Sequence, residues 1–259
     1  MTSKPSLTWA VSSDPGLKRS SNEDSYSTRP DVGLFVVADG MGGHVAGEVA
    51  SRVAVEAIEA FIEETAGADK NRTWPFPFDP TVSLESNRLR AAFRIANHKI
   101  AAAIADSQDL RGMATTASAV LVGTHGASVA HVGDSRVYVL RDGQLNQITH
   151  DHSWVEEQVR AGTLSPTAAR QHPWRNVVTR ALSGGEDPDI DVVEIRPVAG
   201  ERYLLCSDGL FGVVTDDRIA ELMAGPGSLE DICGRLIDAA NDAGGPDNIT
   251  AMLLQVDVR

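Results

Sequence analysis

Two periodicities alternate along the chain, and the points where one gives way to the other predict its elements. Over 44–65, Glu48, Arg52, Glu56, Glu59 and Glu63 fall on one face while Val45, Val49, Val53, Ala57 and Phe61 fall on another. That period, near 3.6, predicts an amphipathic helix laid on a sheet. Residues 86–106 repeat the pattern, with Leu89, Phe93, Ala96, Ile100 and Ile104 apolar and Arg90, Arg94 and Asn97 between them. The period then drops to two, or to unbroken apolar runs, over 115–123, 127–132, 136–141 and 144–149. These read as short strands, and the Gly-rich or Asp-Gly turns between them favour antiparallel hairpins. Further strands are predicted at 7–11, 34–39, 192–196, 202–207 and 249–256, with a short helix at 216–223. A longer helix at 229–243 opens on the capping box Ser228-x-x-Asp231.

Two stretches fit neither period. Residues 67–86 centre on W-P-F-P-F-D-P, whose prolines exclude a helix interior, so this is a long connection. Trp74, Phe76 and Phe78 pin it onto the protein surface, the alternative being a partner-contacting patch. Residues 150–182 are polar and helical in pattern, with Ser153 as an N-cap and breaks at Ser165-Pro166 and His172-Pro173. They form an excursion that later rejoins the sheet. Without repeats, low-complexity tracts or linkers, residues 1–259 read as one layered α+β domain.

Charge and composition narrow the partners. A formal net charge of -13 repels nucleic-acid backbones and anionic membranes. The N-terminal residues carry no apolar stretch long enough for a signal peptide, and about 18 consecutive apolar residues occur nowhere. The two cysteines, Cys206 and Cys233, have apolar neighbours and no metal-ligand spacing, which fits core thiols in a reducing compartment. A soluble cytoplasmic protein, monomeric and without nucleic-acid or membrane partners, is the expectation.

The chemistry gathers where strands end. The run L-F-V-V-A-D-G-M-G-G-H at 34–44 reads as a buried strand that stops at Asp39 and three glycines, of which Gly40 is placed to turn its carbonyl toward an ion. Taken alone, an Asp-capped turn explains it equally well. Asp134 occupies a strand-to-strand corner, Asp208 repeats the strand-Asp-Gly grammar in C-S-D-G-L, and Asp247 stands before the last strand. A polar loop at 16–26 adds Arg19, Asn22, Glu23 and Asp24, although a solvated loop with a local ion pair would look the same. If the strands are sheet neighbours, these carboxylates converge and raise one another's pKa unless cations neutralise them. Oxygen-only ligands suit Mg²⁺ or Mn²⁺, and no His or Cys spacing suggests zinc. A pair of such ions supports hydrolysis of a phosphoester without a covalent intermediate.

R-S-S-N-E-D, D-G-M-G-G-H, G-M-A-T-T, H-V-G-D-S-R-V-Y, S-D-G-L and G-G-P-D-N-I-T occur in that order between Arg19 and Thr250. Together they resemble the motifs of the metal-dependent Ser/Thr protein phosphatases (PPM, or type 2C) in their compact bacterial branch. The resemblance implies a four-layer α-β-β-α sandwich with a two-metal cleft at one end. Asp39 would bridge two Mn²⁺ or Mg²⁺ ions, Glu23 and the Gly40 carbonyl would complete one site, and Asp208 and Asp247 would hold the other. Arg19 matches a phosphate-binding arginine and Asp24 an acidic position that orients metal-bound water. Asp134, with Asp208, matches a weaker third metal site, and 150–182 matches a mobile flap beside the cleft. Asn248 is expected to support its turn rather than bind metal. Phosphorylated proteins are the implied partners, namely targets of a bacterial Ser/Thr kinase and the kinase itself.

One position departs from the pattern. Animal relatives often carry a proton-donating histidine directly after D-G, where this chain has Met41, and His44 follows three residues later. The other readings are a two-metal phosphoesterase of small metabolites and a phosphatase-fold binding module. The second would ordinarily have lost metal ligands, and none is lost here.

Overall fold

The computed structural model describes residues 6–42, 45–67 and 72–257, so His44 and Gly43 lie outside the described residues. Eleven strands form two antiparallel sheets among these residues. One sheet runs β1 (Leu7–Asp14), β11 (Ile249–Val256), β10 (Arg202–Cys206), β7 (Arg136–Arg141) and β8 (Gln144–Gln147). The other runs β2 (Asp24–Arg29), β3 (Leu34–Met41), β5 (Ala117–Val122), β6 (Ala127–Val132) and β9 (Asp191–Ile195), with β4 (Ala114–Thr115) on the end of β3. Alternation along each strand separates two buried faces. Phe35, Val37, Val120, Val129, Tyr203, Leu205, Met252 and Leu254 meet between the sheets. Leu34, Val36, Ala119, Leu121 and Ala130 face α1 (Val45–Glu64) and α2 (Leu84–Asp106). Leu204, Cys206, Ala251 and Leu253 face α6 (Asp216–Ala224) and α7 (Leu229–Asp242). The result is the α-β-β-α layering expected of the sequence.

Helix α1 turns inward a face rotated from the one its valines suggest, although Phe61 of the expected face is buried. Ala46, Ala50, Ala54, Ile58 and Ile62 are buried, whereas Val49, Val53 and Ala57 are only partly so, and the Val45 side chain lies outside the described residues. Small side chains let the helix settle closely onto its neighbours, and the bulkier valines flank that seam. Helix α2 keeps its predicted face, with Leu89, Phe93, Ala96 and Ile100 buried and Ser83 as its N-cap. The predicted capping box of α7 is present in full.

The connection before α2 packs back on the helices. Trp74 meets Phe61 edge-on with ring centres 6.4 Å apart, and Phe76 lies 5.6 Å from His98. Both cysteines are free and buried. No helix among the described residues is long and apolar enough to cross a membrane.

Residues 150–182 contain two short helices, α3 (Trp154–Arg160) and α4 (Pro166–Arg170), and Ser153 caps the first as expected. The excursion closes on itself. Trp154 donates its amide to the Val177 carbonyl at 2.8 Å, and Thr179 does the same to His152 at 2.8 Å. His152 also clasps Gly133 in both directions, donating its backbone N–H to the carbonyl and accepting the Gly133 N–H on Nδ1. The base of the excursion is thereby tied to the corner that carries Asp134.

Candidate functional site

Five acidic residues and one arginine, from five separate places in the chain, meet at one end of the sandwich. Arg19, Glu23, Asp39, Asp134, Asp208 and Asp247 line a single cavity of about 410 Å³, together with Gly40, Met41, Thr116, Asn176 and Val178. Antiparallel pairing explains the convergence, because neighbouring strand ends lie side by side however distant they are in sequence. Asp39 sits two residues inside the end of β3 rather than beyond it, since β4 extends the pairing through Gly40 and Met41. Its backbone is pinned: Thr116 Oγ1 accepts the Asp39 N–H at 3.1 Å, and Thr115 Oγ1 donates to its carbonyl at 2.8 Å. Thr116 Oγ1 also meets Ser135 Oγ at 2.6 Å, joining this strand end to the Asp134 corner.

Glu23 is held from both directions. Its N–H donates to Asn248 Oδ1 at 2.8 Å, and its carbonyl accepts from Gly40 N–H at 3.1 Å and Ser51 Oγ at 2.6 Å. The carboxylate lies against the first turn of α1, where a Cβ on Gly47 would collide with Glu23 Oε2. A side chain on Gly40 would strike the Gly47 carbonyl, so strand end and helix start touch backbone to backbone. Asn248 does support the turn, because its Nδ2 bridges the Pro15 and Ser21 carbonyls at 2.9 and 2.8 Å.

Asp208 opens α5 (Asp208–Phe211), a helical turn too short to register as a period in the sequence. Asp247 accepts from Arg19 Nη2 at 2.7 Å, with the arginine side chain 51% exposed and so free to trade partners. Partial burial works against the Arg19 charge, but Asp247, then Glu23 and Asp208, more than offset it and push its pKa up.

Asp24 stands behind the cavity, not on its wall. It is buried directly across the strand pair from Asp39, and its Oδ2 accepts from Thr250 Oγ1 at 2.6 Å and Ser207 Oγ at 2.7 Å. In this position it does not face the space where it was expected to orient water. Ser207, Thr250, Thr115, Thr116 and Gly47 are the functional neighbours that sequence reasoning missed. The two threonines of G-M-A-T-T and the serine of S-D-G were visible in the motifs but had no partner until the fold supplied one.

The electrostatics fit a cation. Burial pushes the Asp39 carboxyl well above the usual range, and Asp24, Asp208, Asp134 and Asp247 push it further. Asp134 shifts the same way through burial and Asp208, and Asp208 rises to about 6 through burial and Asp247. Asp208 Oδ1 and Asp24 Oδ1 are buried with no hydrogen-bond partner. Orphaned acceptors among mutually repelling carboxylates are stabilised by positive charge. Among the described residues no three His, Cys, Asp or Glu side chains form a ready-made ion cage. Oxygen ligands that leave room for several waters suit a hard ion such as Mg²⁺ or Mn²⁺.

Comparison with known proteins gives the chain's family. The family profile described as Protein phosphatase 2C matches residues 18–253. The serine/threonine protein phosphatase PstP of Mycobacterium tuberculosis is 41% identical over 251 residues, 96% of this chain but 45% of that protein, so the chain spans less than half that relative's length. Serine/threonine phosphatase stp of Listeria monocytogenes is 34% identical over 251 residues, covering 95% of this chain and 94% of that one. The crystal structure of the PstP catalytic domain in complex with two manganese ions is similar at a TM-score of 0.82 and 39% identity, covering 97% of this chain and 99% of that one. The chain belongs to the protein phosphatase 2C family.

Proposed function

We propose that the chain is a Mn²⁺- or Mg²⁺-dependent protein phosphatase that hydrolyses phosphoserine and phosphothreonine by direct attack of water. The observation that carries this reading is the convergence of five carboxylates and Arg19 on one cavity. Family membership and the manganese ions of the PstP structure support it.

In this reading Glu23, Asp39 and the Gly40 carbonyl hold one ion, and Asp39, Asp208 and Asp247 hold a second. Asp134 with Asp208 forms a weaker third site. When bound, the ions supply water acidified enough to attack phosphorus near neutral pH and offset charge on the phosphoryl oxygens. Arg19 exchanges Asp247 for two phosphate oxygens, to which its planar fork is matched. Asp24 acts through its neighbours, holding its place on the Ser207 and Thr250 hydroxyls behind Asp39. The water oxygen bonds to phosphorus, the bond from phosphorus to the seryl or threonyl oxygen breaks, and inorganic phosphate and the free alcohol result. Met41 on the cavity wall has no proton to give, so water protonates the leaving oxygen.

The substrates in this reading are proteins phosphorylated by a bacterial Ser/Thr kinase, and the kinase itself. The phosphatase works as a cytoplasmic monomer, a single catalytic domain with 150–182 as a flap beside the cleft.

The test is turnover of a phosphothreonine peptide with Mn²⁺, with Mg²⁺ and with chelator, beside Asp208→Asn. Divalent-dependent turnover that collapses in the folded variant is expected. Turnover of small phosphates alone would transfer the reading to a metabolite phosphoesterase. No turnover by folded protein would leave a binding module.

A further inference from the structure

Thr116 stands where two parts of the carboxylate cavity meet. It lies between β4 and β5, is buried, and still borders the cavity. The end of β3 is on one side of it. Thr116 donates its backbone N–H to the Asp39 carbonyl at 2.9 Å and accepts the Asp39 N–H on Oγ1 at 3.1 Å. The corner 133–136 is on the other side. A Cβ on Gly133, whose φ is +108°, would come within 2.5 Å of Thr116 Cβ, so the corner's backbone rests directly against this side chain.

One atom of Thr116 serves both sides. Ser135 is fully buried, and among the described residues its hydroxyl pairs with Thr116 Oγ1 alone, at 2.6 Å. Breaking that pair would leave a polar group desolvated and unsatisfied. A hydroxyl has one proton and two lone pairs, so Oγ1 accepts from the Asp39 amide and keeps the capacity to bond Ser135. The remaining bonds of the corner run elsewhere, from Ser118 Oγ to the Ser135 carbonyl at 2.8 Å and between Gly133 and His152. Asp39 thus binds this oxygen through its own amide, and Asp134 is one residue from the serine that binds it. A shift of either carboxylate's backbone toward a bound ion is felt by the other.

We propose that Thr116 is a positioning residue that couples the ion held through Asp39 to the ion held through Asp134, so that each binds more tightly when the other is present. This coupling rests on the ion assignments of the phosphatase reading above and adds a link between them, and it is reciprocal as any binding linkage must be. The hydroxyl carries it. The Thr116 methyl group only fills space against Gly133, whereas Oγ1 reaches both Asp39 and Ser135.

The experiment titrates Mn²⁺ alone into the metal-free full chain by calorimetry, with no substrate present. Thr116→Val keeps the side chain's shape without its hydroxyl, and is expected to raise the Mn²⁺ midpoint about tenfold, the scale on which a ligand's supporting hydrogen bonds act. Thr116→Ser keeps the hydroxyl and is expected to bind as the parent chain does. With Asp134→Asn already in place, Thr116→Val is expected to cost less than about threefold, because substitutions at coupled residues are not additive. A valine variant that binds like the parent, or a serine variant as weak as the valine one, would overturn the coupling. An undiminished loss beside Asp134→Asn would do the same, by confining Thr116 to Asp39. If Thr116→Val does not fold, Ser135→Ala breaks the same bond from its other end and carries the same expectations, alone and beside Asp134→Asn. The expected pattern of Mn²⁺ binding without turnover of a phosphothreonine peptide would support the coupling and remove the phosphatase reading. No Mn²⁺ binding by the folded parent chain would overturn both.

Discussion

Two clusters of carboxylates in this molecule are built from the same residue types and reach opposite electrostatic states. On the surface, Arg29 gathers Glu59 at 2.7 Å, Asp31 at 2.9 Å and Glu63 at 3.1 Å. Hydrogen bonds to that one guanidinium hold Asp31 and Glu63 below their usual carboxylate range. In the cavity, burial and mutual repulsion drive Asp39, Asp134 and Asp208 the other way, and the single arginine engages Asp247 at the rim. The difference is where the cation comes from. The surface cluster carries its own, while the cavity is left short of positive charge and favours whatever divalent ion arrives.

The largest test of that contrast is Asp39→Asn. Phosphothreonine-peptide turnover is expected to fall by more than about a hundredfold, since the proposed reading has this residue hold both ions. Thermal stability in chelator is expected to hold or rise, because one of several repelling charges is gone. A large loss of stability without metal would mean that Asp39 is structural and would break the comparison.

Gly47→Ala comes next. The added Cβ must push the Glu23 carboxylate away, so the Mn²⁺ concentration for half-maximal activity should rise by about ten- to a hundredfold. Titrating Mn²⁺ against activity and against melting temperature reads this directly, and an unchanged midpoint in both would remove Glu23 from the ion's surroundings.

The pH dependence of the metal-free protein separates the clusters by sign. Asp24 and Asp208, lifted chiefly by burial to about 7 and about 6 from an unfolded value of 3.8, bind protons in the native state that the unfolded chain has not yet bound. Stability in chelator should therefore rise as pH falls from about 7 towards 4. Asp31 and Glu63 are depressed, so their contribution is present above their unfolded values of 3.8 and 4.5 and is lost as pH falls below them. Urea unfolding at stepped pH in chelator should show a maximum below neutrality, and Mn²⁺ should move that maximum upward by competing with protons at the cavity. A monotonic fall from neutral pH would contradict the raised cavity carboxyls.

Arg29→Ala is the smallest effect. Solvent screening of the exposed partners keeps the loss of stability small, and peptide turnover should be unchanged. A change in turnover would show that the surface cluster communicates with the cavity.

Much of this arrangement could be read from the chain, and the gaps have physical causes. The bounds of β6, β7 and β11 were legible because unbroken apolar or alternating runs end in Gly and Asp turns. The inward face of α1 was not, because Val49 and Val53 outweigh Ala50 and Ala54 on any hydropathy count although close packing prefers the smaller residue. α5 is a single turn and β2, S-Y-S-T-R after Asp24, is polar, so neither carries a period long enough to read. At the site, Asp39, Asp134, Asp208 and Asp247 were legible as strand-boundary residues beside glycine or asparagine, and Glu23 as part of a polar loop. The retreat of Asp24 onto Ser207 and Thr250 was not, because it depends on which strands lie opposite one another, a property of topology that local sequence does not encode. The same holds for Gly47, whose role exists only once α1 meets β3.

The pairing of β1 with β11 has a further consequence during synthesis. Asp247 and Asn248 enter just before β11, and that strand inserts between β1 and β10, bringing them onto Arg19 and the Glu23 amide. A nascent chain from which β11 has not yet emerged holds everything upstream of Asp247 and still lacks both the acidic partner of Arg19 and the clamp on Glu23. Translation therefore completes the cavity only once this strand has formed, and a copy cut short before Asp247 would, in the reading proposed above, be inactive.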